Sequence, residues 1–358
     1  MAAFDIPLSG LQANSSWLNE ISNNLANLNT DGYKSQGVSF SDIFNQMQGT
    51  SGNGDPIQVG DGVEIGATTS DFSEGALTST GVASNMAIVG NGFFVVQDAS
   101  GQTSYTRDGE FATNNAGQLV TSSGQMVMGY PATDGVVSTA GALTPITVNL
   151  GSAMAGQATS SFSTDTNLDS NSSVGTTFNT PITVYDSMGT PQTLNIQFTN
   201  DGINSTTGTT SWGYAITLPA SATGASSATT VATGTLAFDS SGNLSSPSGS
   251  IPGINITGLA DGAAPMNLTW NLTDASGNST ITELDSTSAT SAVNQDGYGV
   301  GTLTGYTVAP DGTIEGQFSN NQTLALGQVA VANFGDDQAL VQSTGGDYTA
   351  TTTSGSRR

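Results

Sequence analysis

Two periodicities divide the chain. Near the N-terminus, Leu11, Asn14, Leu18, Ile21, Leu25 and Leu28 recur at alternating spacings of three and four, the a/d pattern of a coiled-coil seam. Ser9 with Gln12 three residues on reads as a capping box, and Asp31-Gly32 as the stop. The spacing predicts an amphipathic helix of about 20 residues, roughly 30 Å long. Asn14, Asn19, Asn23, Asn24 and Asn27 are mediocre helix formers and the apolar stripe is narrow, so such a helix is marginal alone. A seam with no partner nearby in the sequence points to assembly.

Past Gln48 the helical period is lost and the pattern is that of strands. Residues 31–72 read as a polar, Gly-rich connector with a short apolar cluster at Val38, Phe40, Ile43 and Phe44. Beyond Phe72, the runs Met86–Val89 and Phe93–Val96 flank Gly90-Asn91-Gly92 and predict buried strand, turn, buried strand. Turns at Asp108-Gly109, Asn115–Gly117 and Ser123-Gly124 continue a meander. A second region has its clearest strands at Thr180–Tyr185, Gln192–Phe198, Ser211–Leu218, Gly234–Phe238 and Met266–Thr273. Within it, the low-complexity stretch Pro219–Thr230 reads as a flexible loop. From Tyr298 to Ala332 the style of the first region returns, with Leu303–Val308 and Leu324–Val331 on either side of Asp311-Gly312.

The run Asn23-Asn24-Leu25-Ala26-Asn27, followed by Thr30, Gly32, Tyr33 and Lys34, resembles the leading helix and turn of the flagellar rod and hook axial proteins. Gly90–Val96, Tyr105–Phe111 and Gly117–Val120 resemble the first half of that family's core domain. Its second half is matched by Gly301–Tyr306, Asp311–Gly316 and Leu326–Phe334. Thr183–Gly189 is similar to the start of the domain inserted on the hook side of the family, which the rod relatives lack. The resemblance implies a mainly β protein with an N-terminal coiled-coil helix (1–30) and a connector (31–72). A discontinuous β core (73–149 and 289–358) would then be interrupted by an inserted outer β-domain (150–288).

By the same resemblance the chain is a structural, self-assembling subunit of the hook, a flexible tube that carries torque from rod to filament. Expected partners are copies of itself, the rod, hook-cap and hook–filament junction proteins, and the flagellar export apparatus. Phe4 with Leu8 fits the early Phe-x-x-x-apolar element that this export apparatus reads. The family's second amphipathic helix follows a segment like Tyr348–Gly355 and pairs with the first, whereas this sequence stops at Arg358. The seam is therefore expected to lack that partner within this chain. Two other readings stand beside this one, a distal rod subunit and an unrelated extracellular adhesin or surface-layer protein.

Composition narrows the chemistry. Acidic residues number 28 and basic residues 4, a net charge of −24, yet charged residues are only 9 %. An average domain has about 25 %, so the surface is largely neutral Ser, Thr, Asn and Gly. Nucleic acid and anionic lipid both require clustered cations, and neither is an expected partner. No apolar run is long enough to span a membrane. The start has neither a basic n-region nor an apolar h-region, so it is not a Sec signal peptide, and the resemblance implies export to an extracellular location through the flagellar apparatus instead. Without His or Cys there is no triad, no His-bearing zinc site and no disulfide, and no nucleotide loop is present. No catalytic residue, cofactor or metal is expected.

Asp165, Asn167 and Asp169 hold the first three ligand positions of a calcium loop. Ser170 and Thr176 replace the Gly and Glu that such a loop needs, which leaves a solvated turn as the expectation. Arg107 is the one cation between Lys34 and the terminus. It reads either as an ion-pair partner across a subunit contact or as a hairpin residue beside Asp108 and Glu110. Tyr33 and Lys34 likewise mark a subunit contact or simply a turn.

Overall fold

The N-terminal spacing does form a helix, but one that spans Asp5–Ala26 and does not start at Ser9. This is a computed structural model that describes residues 5–43, 46–203, 208–343 and 345–357. Pro7 sits in the first turn, where its missing N–H is not needed. Ser9 is interior, and its Oγ donates to Ile6 O at 2.8 Å, so it caps nothing. After Ala26 the chain continues in hydrogen-bonded turns, Thr30 N to Asn27 O at 3.0 Å and Tyr33 N to Thr30 O at 3.3 Å. Gly32, at φ +70°, reverses it.

The connector is not irregular. Gln36–Asp42 runs antiparallel to Val63–Ser70, and Gln46–Thr50 to Pro56–Val59. These strands escaped the sequence reading because neither face of the first ladder is deeply buried. Phe40, for example, is 43 % exposed, and no apolar alternation marks the ladder. Phe44 lies outside the described residues.

Contacts divide the chain into two compact units. The first comprises Met1–Leu150, Thr304–Gln317 and Thr323–Arg358. Its main sheet interleaves early and late chain, with Gln328 opposite Tyr130, Val331 opposite Phe94 and Tyr348 opposite Tyr105. Phe93, inside it, packs against Tyr348 at 5.4 Å and Phe72 at 5.5 Å, and Tyr105 against Phe334 at 4.7 Å. Phe93–Gln97 is a buried strand as expected, but Met86–Val89 is not one. Val89 is 74 % exposed, and Met86 N meets Gly109 O at 3.0 Å with no ladder beside it.

The second unit comprises Gly151–Leu303 and Phe318–Gln322 and is built from two five-stranded sheets. Thr177–Tyr185, Pro191–Ile203, Thr210–Leu218, Thr229–Phe238 and Leu244–Ser246 follow one another across one sheet. In the other, Ser250–Ile256, Met266–Asn271, Ser161–Asp169 and Ile281–Leu284 lie in that order, and Ala289–Gln295 also pairs with Ser161–Asp169. Along Pro191–Ile203 every second residue is buried, so Leu194, Ile196 and Phe198 enter a core shared with Trp212 and Trp270. Trp212 Nε1 donates to Glu283 Oε1 at 2.9 Å, and Thr210 Oγ1 also donates to this buried carboxylate.

Two expectations are corrected here. Asp165, Asn167 and Asp169 lie in a strand and not a turn, because Phe162, Thr164, Thr166 and Leu168 alternate with them and are buried. Pro219–Thr230 is partly ordered, with a one-turn helix Ala220–Thr223 whose Ala222 O accepts from Ala260 N at 2.9 Å. The unit's two chain ends lie side by side, since Gly151 N donates to Leu303 O at 2.8 Å and Ala153 faces Thr302.

Candidate assembly surface

The N-terminal helix presents two different faces. Ala13 is buried and Ser9, Ser16, Glu20 and Asn24 are half-buried, a face of small and polar residues turned toward the Gln36–Asp42 and Val63–Ser70 ladder. At about 100° per residue, the predicted seam lies roughly 130° around the helix from that face. Its residues stand in solvent: Leu11 is 71 % exposed, Leu18 58 %, Ile21 42 %, Leu25 66 % and Leu28 73 %. Asn14 shares this exposed side, its Nδ2 turned back to Gly10 O at 2.9 Å. The helix therefore docks on its own body by polar contacts and leaves its aliphatic stripe uncovered.

Specific bonds fix that orientation. At the start of the helix, Ser9 Oγ accepts from Val63 N at 3.3 Å, and a Cβ at Gly62 would collide with the Ser9 hydroxyl. At its end, Asn24 Nδ2 donates to Gln36 O at 2.8 Å while Gln36 N donates to Asn24 Oδ1 at 3.1 Å. Tyr33 Oη donates to the same Oδ1 at 2.9 Å. Asn27 Nδ2 donates to Asn23 O at 2.9 Å, and Thr30 Oγ1 to Asn27 Oδ1 at 3.2 Å, so the remaining asparagines shape the exit from the helix. Leu25 and Ala26, between them, are exposed.

The turn that follows is seated on the loop that leaves the strand Thr103–Thr106. A Cβ at Gly32 would lie 2.5 Å from Asp108 N and 2.6 Å from Arg107 C. Lys34 is buried, and its Nζ donates to Ser73 O at 2.6 Å. Burial, and after it the charge of Arg107, lower its pKa from the ordinary lysine value. Arg107 is also lowered by burial. Its Nη1 donates to Gly90 O at 2.9 Å, and the guanidinium lies 5.1 Å over the Phe93 ring. Its hairpin neighbour Asp108 is used within the turn, accepting from Glu110 N at 2.9 Å.

Beside the end of the helix lies a groove of about 470 Å³. Its lining includes Ile21, Leu25 and Leu28 together with the charged Lys34, Asp71 and Glu74. Of the predicted export element, Leu8 is 51 % exposed and Phe4 lies outside the described residues. Among the described residues no three His, Cys, Asp or Glu side chains gather to hold a metal ion. Nor is any helix there long and apolar enough to cross a membrane. The polar face of Ser9, Ala13 and Ser16, and the receiving residues Gln36, Val63 and Ser73, were not singled out in the sequence. Their only signal is the spacing of small residues opposite the leucines.

Residues 149–298 match the model described as "Flagellar basal body protein FlaE D2 domain", and residues 4–34 the one described as "Flagella basal body rod protein". The flagellar hook protein FlgE of Salmonella typhimurium is 32 % identical, over 99 % of this chain and 84 % of that protein. The chain belongs to the flagellar hook protein family. The hook protein of Treponema pallidum is 28 % identical over 97 % of this chain and 85 % of its own length. The crystal structure of Helicobacter pylori hook protein FlgE2 shares the fold, with a TM-score of 0.53 and 13 % identity over 75 % of this chain and 93 % of that one.

As a hook protein the chain is a structural subunit of the flagellar hook and basal body, and it is not an enzyme. Hook proteins polymerise with copies of themselves. The rod-subunit and adhesin readings are thereby set aside.

Proposed function

We propose that the uncovered stripe Leu11, Asn14, Leu18, Ile21, Leu25 and Leu28 is the seam through which hook subunits pack together. The opposite face would hold each helix to its own body. One observation carries this: the two faces of a single helix have opposite character and opposite exposure. Burying one large aliphatic side chain is worth about 2 kcal/mol, so a shared seam of five is a substantial driving force. The Asn23–Asn27 motif with Thr30, Gly32, Tyr33 and Lys34 acts inside the subunit, aiming the helix and seating its turn. Arg107 also acts inside the subunit, tying Gly90 to the Phe93 ring.

Around this seam we place the finer expectations. The first unit serves as the core domain and the second as an outer inserted domain. Rod, hook-cap and junction proteins are neighbours at the ends of the tube. The chain is exported by the flagellar apparatus, without a Sec signal peptide, through an N-terminal element that includes Phe4 and Leu8.

Leu18→Asp and Ile21→Asp test the seam. Both positions are exposed in the single subunit, so the variants fold normally by circular dichroism. In tubes grown from the chain joined to the family's second amphipathic helix, the new carboxylate would be buried unpaired, and polymerisation seen by electron microscopy and sedimentation is lost. Normal tubes from either variant would overturn the proposal.

A further inference from the structure

The helix and the connector ladder form one arm. Ser9 ties the start of the helix to Val63, and Asn24 ties its end to Gln36. At its root the arm enters the core beside Lys34, bonded to Ser73 O, and Phe72, packed on Phe93. There Asp71 N donates to Ser35 O at 2.8 Å. Next to the root, the core grips a single rung of the ladder, Gln36 opposite Ser70. Gln338 holds one side of that rung as a neighbouring strand would. Its Oε1 accepts from Ser70 N at 3.0 Å and its Nε2 donates to Ser70 O at 2.8 Å. Gln342 holds the other side, its Oε1 accepting from Gln36 Nε2 at 2.7 Å. Among the described residues no other hydrogen bond joins residues 36–70 to the core.

The segment that carries both glutamines is itself firmly mounted. Leu340 is buried in the cluster of Phe93 and Tyr348, and Val341–Gln342 pairs with Tyr348 and Thr349. Thr351 Oγ1 donates to Ala339 O at 2.8 Å, and Asp336 Oδ1 accepts from Gln338 N at 3.0 Å.

We infer that Gln338 and Gln342 are positioning residues for assembly. They form a bracket, supplied by the late chain, that sets the direction in which the arm leaves the core. The direction in which the leucine stripe faces other subunits follows from it, a consequence that rests on the seam reading above. A two-stranded ribbon has little stability of its own, so its direction must come from where it is held. The grip falls on the rung that also receives Asn24, so a relay of amides, Asn24 to Gln36 to Gln342, runs from helix to core. Every bond in the bracket joins neutral groups, so salt does not screen it as it would an ion pair.

The chain has no cysteine, so two spin labels can be placed without competitors. Labels on Leu11→Cys in the helix and Val136→Cys in the first unit, at positions 71 and 70 % exposed, report the arm's direction by pulsed electron paramagnetic resonance on the single subunit. One narrow distance is expected. With Gln338→Ala and Gln342→Ala together it should become broad. Amide exchange at Ser70 should then accelerate at least about tenfold, while exchange along Phe93–Gln97 stays unchanged and shows the core intact. Gln342→Glu keeps an acceptor for Gln36 Nε2 and is expected to stay narrow. Gln338→Glu adds the same charge but sets a carboxylate oxygen against Ser70 O, and is expected to broaden.

A broad distance in the native chain, or a narrow one in the double alanine variant, would overturn the bracket. So would equal behaviour of the two glutamate variants, because the grip would then not depend on which atom each amide presents. All of this is read on the single subunit, so failure of the bracket leaves the seam reading standing. Normal tubes from Leu18→Asp would instead refute the seam and leave the bracket.

Discussion

Asn24 and Gln36 pair as residues of adjoining strands do, the asparagine amide donating to the glutamine carbonyl at 2.8 Å and accepting from its N–H at 3.1 Å. A side chain thus takes the place of a strand and ties the end of the helix to the first residue of the connector ladder. Tyr33 adds a third bond to the same amide oxygen. Three bonds on one residue give the helix a fixed direction without using any of its leucines.

Asn24→Ala should accordingly loosen the helix and spare the rest. Removing one partner and leaving the others unsatisfied costs about 1–3 kcal/mol. Hydrogen exchange is expected to accelerate at the Gln36 amide and along Asp5–Ala26, with exchange in the Phe93–Gln97 strand unchanged. Tyr33→Phe should show the same pattern at about 1 kcal/mol. Faster exchange throughout the first unit would mean that Asn24 supports the body and not the helix direction.

Gly32 offers a comparison with Gly258. Both have φ near +70°, but a Cβ at Gly258 meets nothing within 4 Å, whereas one at Gly32 meets the backbone of Arg107 and Asp108. Gly258→Ala should cost only the left-handed strain, about 1–2 kcal/mol. Gly32→Ala should cost about 3 kcal/mol or more, because backbone must move. Urea denaturation of the two variants reads the difference, and equal losses would show that the turn is not seated on that loop.

Much of this was legible in the sequence, for a physical reason. Strands such as Pro191–Ile203 bury one face completely, so Leu194, Ile196 and Phe198 alternate visibly with polar neighbours. The seam was legible too, since leucines at heptad spacing stand out in a chain rich in Ser, Asn and Gly. What stayed hidden is the face opposite. Ser9, Ala13 and Ser16 look like ordinary surface residues, and their burial depends on strands about 20 to 60 positions further along the chain. The connector ladder was missed because both of its sides are wet. At Asp165–Asp169 the burial of Phe162, Thr164, Thr166 and Leu168 decides the structure, and the short ligand-like motif falls on the alternate positions of that strand.

Two buried or cradled carboxylates should respond to pH in opposite directions. Asp347 is buried beside Tyr348, and burial raises its pKa against hydrogen bonds from Gln125 and Thr106. A carboxyl raised in the fold contributes stability below its unfolded value near 3.8, and that contribution fades as pH rises through the folded value. Asp296 is also opposed by burial. Bonds from the hydroxyls and backbone N–H groups of Ser160 and Ser161 outweigh this and lower its pKa. Its contribution is present above the unfolded value and lost as pH falls through the folded one. Asp347→Asn should therefore gain on the native chain as pH rises from 3.5 to 7, and Asp296→Asn should lose. Denaturation curves across that range check both signs.

The second unit should fold without the first. A fragment of residues 151–303 retains both sheets, the shared core and the paired chain ends. It is expected to unfold cooperatively, with a near-ultraviolet signal from Trp212 and Trp270. Trp212→Phe in that fragment removes a bond to the buried Glu283 carboxylate and should cost about 1.5–3 kcal/mol. A fragment without cooperative unfolding would show that this unit depends on the rest of the chain.

The assignment of the leucine stripe to assembly is tested most directly by an electron-microscopic reconstruction of the assembled hook at side-chain resolution. Leu11, Leu18, Ile21 and Leu25, between 42 and 71 % exposed in the single subunit, are expected to be buried there against neighbouring copies. The Asn24–Gln36 bonds, with Ser9 and Ala13, are expected to remain inside each subunit. A hook in which the leucines still face water, while the Ser9–Ala13–Asn24 face makes the contacts between subunits, would contradict that assignment.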